Sequence, residues 1–495
     1  MPMNELSRAV AAVLGFVPPD PDLPLWAYGL DSLAALRIVA ALSGPDAGRL
    51  SLADFFPATT MRDLDRIVAA SAPRPSPPVE ISLPSLSRTT LLRQRMMPSD
   101  VAGNCALVWV VHGEVDVSAL TAAVASLPRR HDGLSRCYPL VGPPTPAEPS
   151  EPVVTVRPAA SLEAALCDVR SALRKPFRPD RGEVFRAVVV EVEPGLQVLG
   201  IGVHHVAFDG ASEAILADAL GVAYDDVVNG RPGTPDVGIR EALGRLARRH
   251  PPDPGAAGRW RAELSTPAAG PAAVTAPVPS GSAGPARLVR SIPVGGALRD
   301  LAAYLGVSYF VLLLAAYRIG IEDTGAIRPA VLAVPVSLRD DPGLGRFVGN
   351  LTTMVPVLPP APGPDDLGRL ARRTADSVRR ALLRADLSIE DSTRVAVEAG
   401  LAGGGFQHVF VLQQTPAPRL RLGHGETRFV REPYYGLSTA TMCEIWPPGQ
   451  GWGDANDSLV FTYDPARFAA DAAERLVRRF LDVLAELAMT GAVHA

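Results

Sequence analysis

The sequence lacks the features that would place it in several large classes of protein. No uninterrupted apolar stretch in its 495 residues approaches the ~20 needed for a membrane-spanning helix. The first ten residues, MPMNELSRAV, have neither a basic start nor an apolar core and do not read as a secretory signal. Lysine is almost missing: Lys175 stands alone, so the 48 basic residues are nearly all arginine. With many Pro, Ala and Gly residues, that bias points to a GC-rich, bacterial coding sequence and says nothing of fold. An excess of one charge is absent too. The formal net charge is -4 and the pI about 6.1, which leaves no basic footprint for nucleic acid or an anionic membrane. Arg248-Arg249 and Arg372-Arg373 read as solvated helix faces. The four cysteines, Cys105, Cys137, Cys167 and Cys443, have no metal-binding spacing. They are expected to be free, mostly buried thiols of a cytoplasmic protein.

What is present is ample core-forming material, 47% hydrophobic, in a chain long enough for about three structural units. Residues 1–70 predict a small helical bundle, with helices over Leu6 to Leu14, from about Ser32, and over Met61 to Ala70. The proline-rich SAPRPSPPV, Ser71 to Val79, is a semi-rigid spacer. Beyond Ile81, strands and helices alternate, which predicts a mixed α/β or α+β body. The expected strands include Cys105 to His112, Val184 to Val192, Gln197 to His205, Ala330 to Val336, Gln407 to Gln413 and Ser458 to Tyr463. Helices are expected over Val117 to Arg130, from near Ser212, over Gly296 to Ile319, over Leu367 to Leu383 and over Ala466 to Met489. The Pro-, Ala- and Gly-rich stretch from Pro251 to Pro285 reads as a crossing between two lobes.

Two motifs carry chemistry. In Tyr28-Gly29-Leu30-Asp31-Ser32-Leu33, a serine opens a helix. Its hydroxyl is exposed for modification, and the helix N-terminus favours a phosphodiester there. An ordinary N-cap serine is the alternative. The second motif is His204-His205-Val206-Ala207-Phe208-Asp209-Gly210, after the alternating run Gln197 to His205. Alternation sends the two histidines to opposite faces if the strand persists, which argues against a shared metal. A histidine suits amine attack on a thioester because it titrates near neutrality. The glycine permits close approach of a substrate to the backbone. Gly400 to Gly405 lacks the Lys-Ser/Thr of a phosphate loop. Tyr434, Tyr435 and Trp446 read as packing in a loop that closes over the lobes.

The Gly-x-Asp-Ser-Leu motif resembles that of carrier proteins, and HHVAFDG resembles the His-His-x-x-x-Asp-Gly motif of nonribosomal peptide synthetase condensation domains, which have a chloramphenicol-acetyltransferase-like fold. Arg130 to Leu134, Pro335 to Arg339, Phe406 to Val409 and Leu459 to Phe468 resemble further segments of the condensation family. Three positions depart: Ser135, Thr353 with Asn350 close by, and the poorly matched Ser85 to Gln94. The resemblance implies a small all-α four-helix carrier (1–72), a Pro-rich linker (73–80), and a condensation domain whose two lobes form a V. These lobes are expected at 81–255 and 286–495, with an interlobe linker at 256–285. It implies 4′-phosphopantetheine on Ser32 beside Asp31. It makes His205 the catalytic histidine with His204 beside it, Asp209 a support paired with Arg339, and Gly210 a neighbour of the thioester. The implied activity is amide formation from a thioester, His205 acting as base or orienting the nucleophile. The carried group stays open among aminoacyl, peptidyl, aryl and fatty. The implied partners are other synthetase modules or carriers, an adenylation enzyme, a phosphopantetheinyl transferase, an acyl donor and an amine acceptor, with no nucleic acid, no membrane and a monomeric chain. No adenylating or thioesterase segment is read after Met489. That favours, as the alternative, release onto a soluble amine or alcohol. A non-catalytic platform that recruits other enzymes is the third reading.

Overall fold

The computed structural model describes the chain except residues 1–3, 15, 29–37, 39–49, 51–58, 71–81, 141, 148–153, 251–252, 266–283, 328–329, 362–366, 402–405, 454 and 492–495. The motif at Asp31 and Ser32, the Pro-rich linker and most of Gly400 to Gly405 lie outside the described residues. In the N-terminal region, helices Glu5–Leu14 and Met61–Ala70 flank a short turn of helix, Leu25–Tyr28. Leu6 and Val10, one turn apart, meet Leu25, Ile38, Leu50, Met61 and Leu64 in a separate small core.

The first lobe is built on a five-stranded sheet in the order Glu426–Arg431, Asn104–His112, Leu196–His204, Phe185–Glu193, Val154–Pro158. Period-two alternation sends Leu199, Ile201 and Val203 into the main core under helices Val117–Arg130, Gly210–Val228 and Ile239–Arg249. The opposite face carries Val198, Gly200, Gly202 and His204. Helix Leu162–Leu173 presses onto it so closely that a Cβ at Gly200 would lie 2.4 Å from Val169. Glycine there is a packing requirement of the strand that delivers the histidines.

The second lobe has a six-stranded sheet in the order Ala286–Ile292, Asp457–Tyr463, Thr441–Trp446, His408–Leu412, Leu332–Ser337, Thr352–Val357. Phe410 stacks on Tyr317, and both meet Phe480 of helix Ala470–Gly491. The chain is thus α+β. Among the described residues, no single helix is long and apolar enough to cross a membrane.

Several expectations need correction. The helix expected over Gly296 to Ile319 is two, Gly295–Leu305 and Tyr309–Thr324, bent by 103°. Gly306 adopts φ 71° to close the first, and Ser308 caps the second by accepting from Val311 N. The stretch 256–285, read as an interlobe linker, begins with helix Ala256–Leu264, whose buried Trp260 packs with Val331, Leu358 and Val395. The second stretch of chain, 286–495, does not stay in one lobe. Its strand Glu426–Arg431 crosses to pair antiparallel with Asn104–His112. Trp446 lies on a strand, not in a loop. The cysteines are free, but only Cys443 is buried; Cys105 and Cys137 are half-buried and Cys167 is exposed. Arg249 is not a solvated side chain: it bonds Asp340 at the lobe junction.

Candidate active site

Strand Leu196–His204 ends at the first histidine, and His205–Ala207 turns as a short 3-10 helix. The strand therefore does not persist through His205, and the two imidazoles part by this turn and not by strand alternation. His204 has no exposed surface. Its Nδ1 accepts from Val206 N at 3.2 Å, so the proton sits on Nε2, which faces Gln94 Oε1 at 3.3 Å. The ring meets Phe177 edge-on at 6.1 Å. Burial pushes its pKa down to about 3, so it stays neutral. Gly103 makes room for this ring: a Cβ there would lie 2.6 Å from Nε2. The carbonyl of Gly103 also accepts from His205 N at 2.7 Å. His204 thus anchors the turn from inside.

His205 is half-buried. Its Nδ1 lies 2.6 Å from the Phe208 carbonyl oxygen, which can only accept, so Nδ1 bears the proton in the neutral ring. Nε2 is left with its lone pair. Asn350 Nδ2 donates to the His205 carbonyl at 2.8 Å and braces the turn from the second lobe.

Asp209 caps helix Gly210–Val228, its side chain accepting from Ser212 N in a capping box. It is buried, 3% exposed. Arg339 meets it through Nε at 3.1 Å and Nη2 at 2.9 Å, while Ser212 Oγ and Leu351 N also donate to it. Burial alone would raise this carboxyl. The Arg339 guanidinium, with the Leu351 and Ser212 donors, outweighs burial and holds it below the usual carboxylate range. Arg339 spends its remaining donors on the carbonyls of Leu344, Phe347 and Gly349. Because it follows strand Leu332–Ser337, it fastens the second lobe to the first at the motif. At Gly210, a Cβ would meet only Thr415, at 3.8 Å or more. Among the described residues, no contact therefore demands glycine there.

The other motif segments are support. Arg130 pairs with Asp226 at 2.7 Å, and Asp132 accepts from Ile239 N. Among the described residues, no group of His, Cys, Asp and Glu side chains is placed to hold a metal ion. Sequence reasoning did not include Asn350, Ser212 or Gln94 in the site. Asn350 stands close to the family's asparagine, which aligns with Thr353, and Gln94 sits in a stretch that reads as a poor match. Only the fold carries both to the histidines.

Comparison with known proteins agrees with this architecture. Residues 4–64 match the phosphopantetheine attachment site family. Over 405 residues the chain is 28% identical to the nonribosomal peptide synthetase CymA of Salinispora arenicola, spanning 76% of this chain and 5% of that protein. The X-domain from teicoplanin biosynthesis superposes with a TM-score of 0.68 at 18% identity, over 85% of this chain and 96% of that one. The first condensation domain of the calcium-dependent antibiotic synthetase does so with a TM-score of 0.64 at 18% identity, over 83% and 97%. The chain carries a phosphopantetheine attachment domain followed by a condensation-domain fold, and is homologous to nonribosomal peptide synthetases.

Proposed function

We propose that the chain transfers an acyl group from a thioester to an amine and forms an amide bond, as a carrier and condensation pair of a nonribosomal peptide synthetase. The observation that carries this reading is the contact of His205 Nδ1 with the Phe208 carbonyl oxygen at 2.6 Å, which in the neutral ring places the proton on Nδ1 and leaves Nε2 as the acceptor. His205 Nε2 takes the proton of the attacking amine or orients that amine. Asp209, Arg339 and Asn350 hold the turn and do not touch the reacting atoms. Gly210, which no neighbour among the described residues requires to be glycine, leaves room for the thioester.

In the matched family 4′-phosphopantetheine is attached covalently, and it supplies the thioester sulfur. Ser32, with Asp31 before it, is the proposed attachment point; both lie outside the described residues. We assign 1–72 to a four-helix carrier and 73–80 to the linker. The first lobe takes 81–255 and the strand Glu426–Arg431. The second takes 286–495 without that strand, together with helix Ala256–Leu264. The lobes open as a V around the motif. The proposed setting is cytoplasmic, with other carriers or modules, an adenylation enzyme and a phosphopantetheinyl transferase as partners, and with the chain itself a monomer.

The test is reconstitution. The chain is loaded by a phosphopantetheinyl transferase, then offered a partner carrier, free amines and free alcohols separately. Amide formed only with His205 intact is the expected result. Full turnover by His205→Ala sinks the assignment, and ester formed from the free alcohol replaces amide synthesis with release. A mass gain on loading that survives Ser32→Ala rejects Ser32 as the attachment point.

A further inference from the structure

The second-lobe strand Thr441–Trp446 has two unlike faces. Cys443 and Ile445 enter the main core of that lobe. Glu444 and Trp446 lie on the other face, with Met442, which packs beside Val409, Val411 and Ala333. Glu444 has no exposed surface. Tyr434 Oη donates to its Oε1 at 3.1 Å, and Gln413 Nε2 does so at 2.9 Å. Its other oxygen, Oε2, has no hydrogen-bond partner among the described residues. Arg431 stands near, but its Nη1 donates to Glu213 at 2.7 and 2.9 Å and its Nε to the Gln450 carbonyl. Burial pushes the Glu444 carboxyl up to about 7.

The unpaired oxygen has company. Arg431 Nη2, Trp446 Nε1, Gln450 Oε1 and Trp452 Nε1 are likewise buried without partners among the described residues. Arg431 lies over the Trp446 ring at 4.5 Å, and Arg287 over Trp452 at 5.5 Å. A buried unpaired polar group costs about 1–3 kcal/mol, and native proteins keep few of them. Together these atoms of Arg431, Glu444, Trp446, Gln450 and Trp452 are a concentration that a bound polar group would relieve. The cluster adjoins the motif. Glu213 lies in the first turn of the helix that Asp209 caps, and Gln450 Nε2 donates to the carbonyl of Thr415, the neighbour of Gly210.

We infer that Glu444 is a specificity-determining residue that receives a side-chain amine of one substrate. The missing partner of a desolvated carboxylate is a cation or an N–H donor. The unpaired N–H groups of Trp446, Trp452 and Arg431 suit a carbonyl oxygen of the same substrate. A side-chain amine fits better than the reacting one, because the cluster joins the motif at Gly210, whereas the reacting amine must reach His205. This inference rests on the acyl-transfer reading.

The test uses the full chain and two unreactive probes, the pantetheine amides of lysine and norleucine, with affinities read by calorimetry. The lysine probe is expected to bind about 10- to 100-fold more tightly, the range of a hydrogen bond to a charged group. Glu444→Gln, which keeps the shape, should remove that preference and leave the norleucine affinity unchanged. Where Glu444→Gln does not fold, Glu444→Asp is read in its place. Equal binding of the two probes, no binding of either, or equal weakening of both by the variant overturns the inference. A chain that makes amides yet binds both probes equally overturns it alone and leaves the acyl-transfer reading standing.

Discussion

Asp209 and Glu444 are both acids buried near the junction of the lobes, yet their surroundings oppose each other. Asp209 is saturated: Arg339, Ser212 and Leu351 all donate to it, and it stays ionised. Glu444 keeps one oxygen without a partner among the described residues, and burial holds its carboxyl near neutrality. A fully partnered charge fastens structure, whereas a half-partnered one is strained until something meets it. The difference separates the scaffold of the site from a surface facing substrate.

The largest effect expected from breaking the contrast is on turnover. His205→Ala should lower the rate by about 10²- to 10⁴-fold, while urea unfolding shifts by about 1 kcal/mol or less. Next comes Arg339→Ala. It strands the Asp209 charge in the interior and should cost about 3–5 kcal/mol in urea unfolding, with activity falling as the turn loosens. Glu444→Gln should behave in the opposite way, with stability kept or improved near pH 8.

Stability against pH sharpens the same contrast, because the two shifts differ in sign. The pKa of Asp209 is lower folded than unfolded. Its contribution is therefore present above the unfolded value of about 4 and is lost as pH falls through the folded value. Glu444 is raised to about 7, so its protonated form favours the fold. That contribution is full below its unfolded value of about 4.3 and is lost as pH rises through 7, a change of about 4 kcal/mol. Urea titrations of wild type and Glu444→Gln from about pH 4.5 to 8 should therefore converge or cross as pH rises. Parallel curves would remove Glu444 from the account. The smallest effect expected is at Gly210: Gly210→Ala should barely change stability, since its Cβ meets only Thr415, and should slow turnover if the thioester passes there.

Much of the fold was legible where local signals agree. Helix Val117–Arg130 follows Asp116, whose side chain caps it, and Leu199, Ile201 and Val203 alternate cleanly. The expected single helix over Gly296 to Ile319 failed because its apolar pattern runs on through a break that Gly306 and Ser308 make in only three residues. Strand Glu426–Arg431 was missed because half-exposed and exposed positions blur its pattern. Its place is decided by pairing with Asn104–His112, more than three hundred residues earlier. Helix Ala256–Leu264 was hidden by the proline and glycine around it, and its burial depends on Trp260 finding Val331 and Val395.

The sequence by itself determined the local chemistry: the Gly-Leu-Asp-Ser-Leu run at Ser32, the histidine pair at a strand end, an aspartate placed to cap a helix, and the alternating faces of the strand before them. These follow from residue type and short-range period, which act over a few residues. Only the tertiary structure decided which nitrogen of His205 keeps its lone pair, that Asn350 and Gln94 serve the two histidines, and that Glu444 is left with one oxygen unpaired. The His205 tautomer follows from the Phe208 carbonyl that the turn brings to Nδ1, and the other outcomes depend on contacts between groups roughly 30 to 145 residues apart, such as Gln413 with Glu444 and Asn350 with His205. No local period encodes such contacts, because they exist only once the two sheets have packed and burial has raised the cost of every polar atom left unpaired.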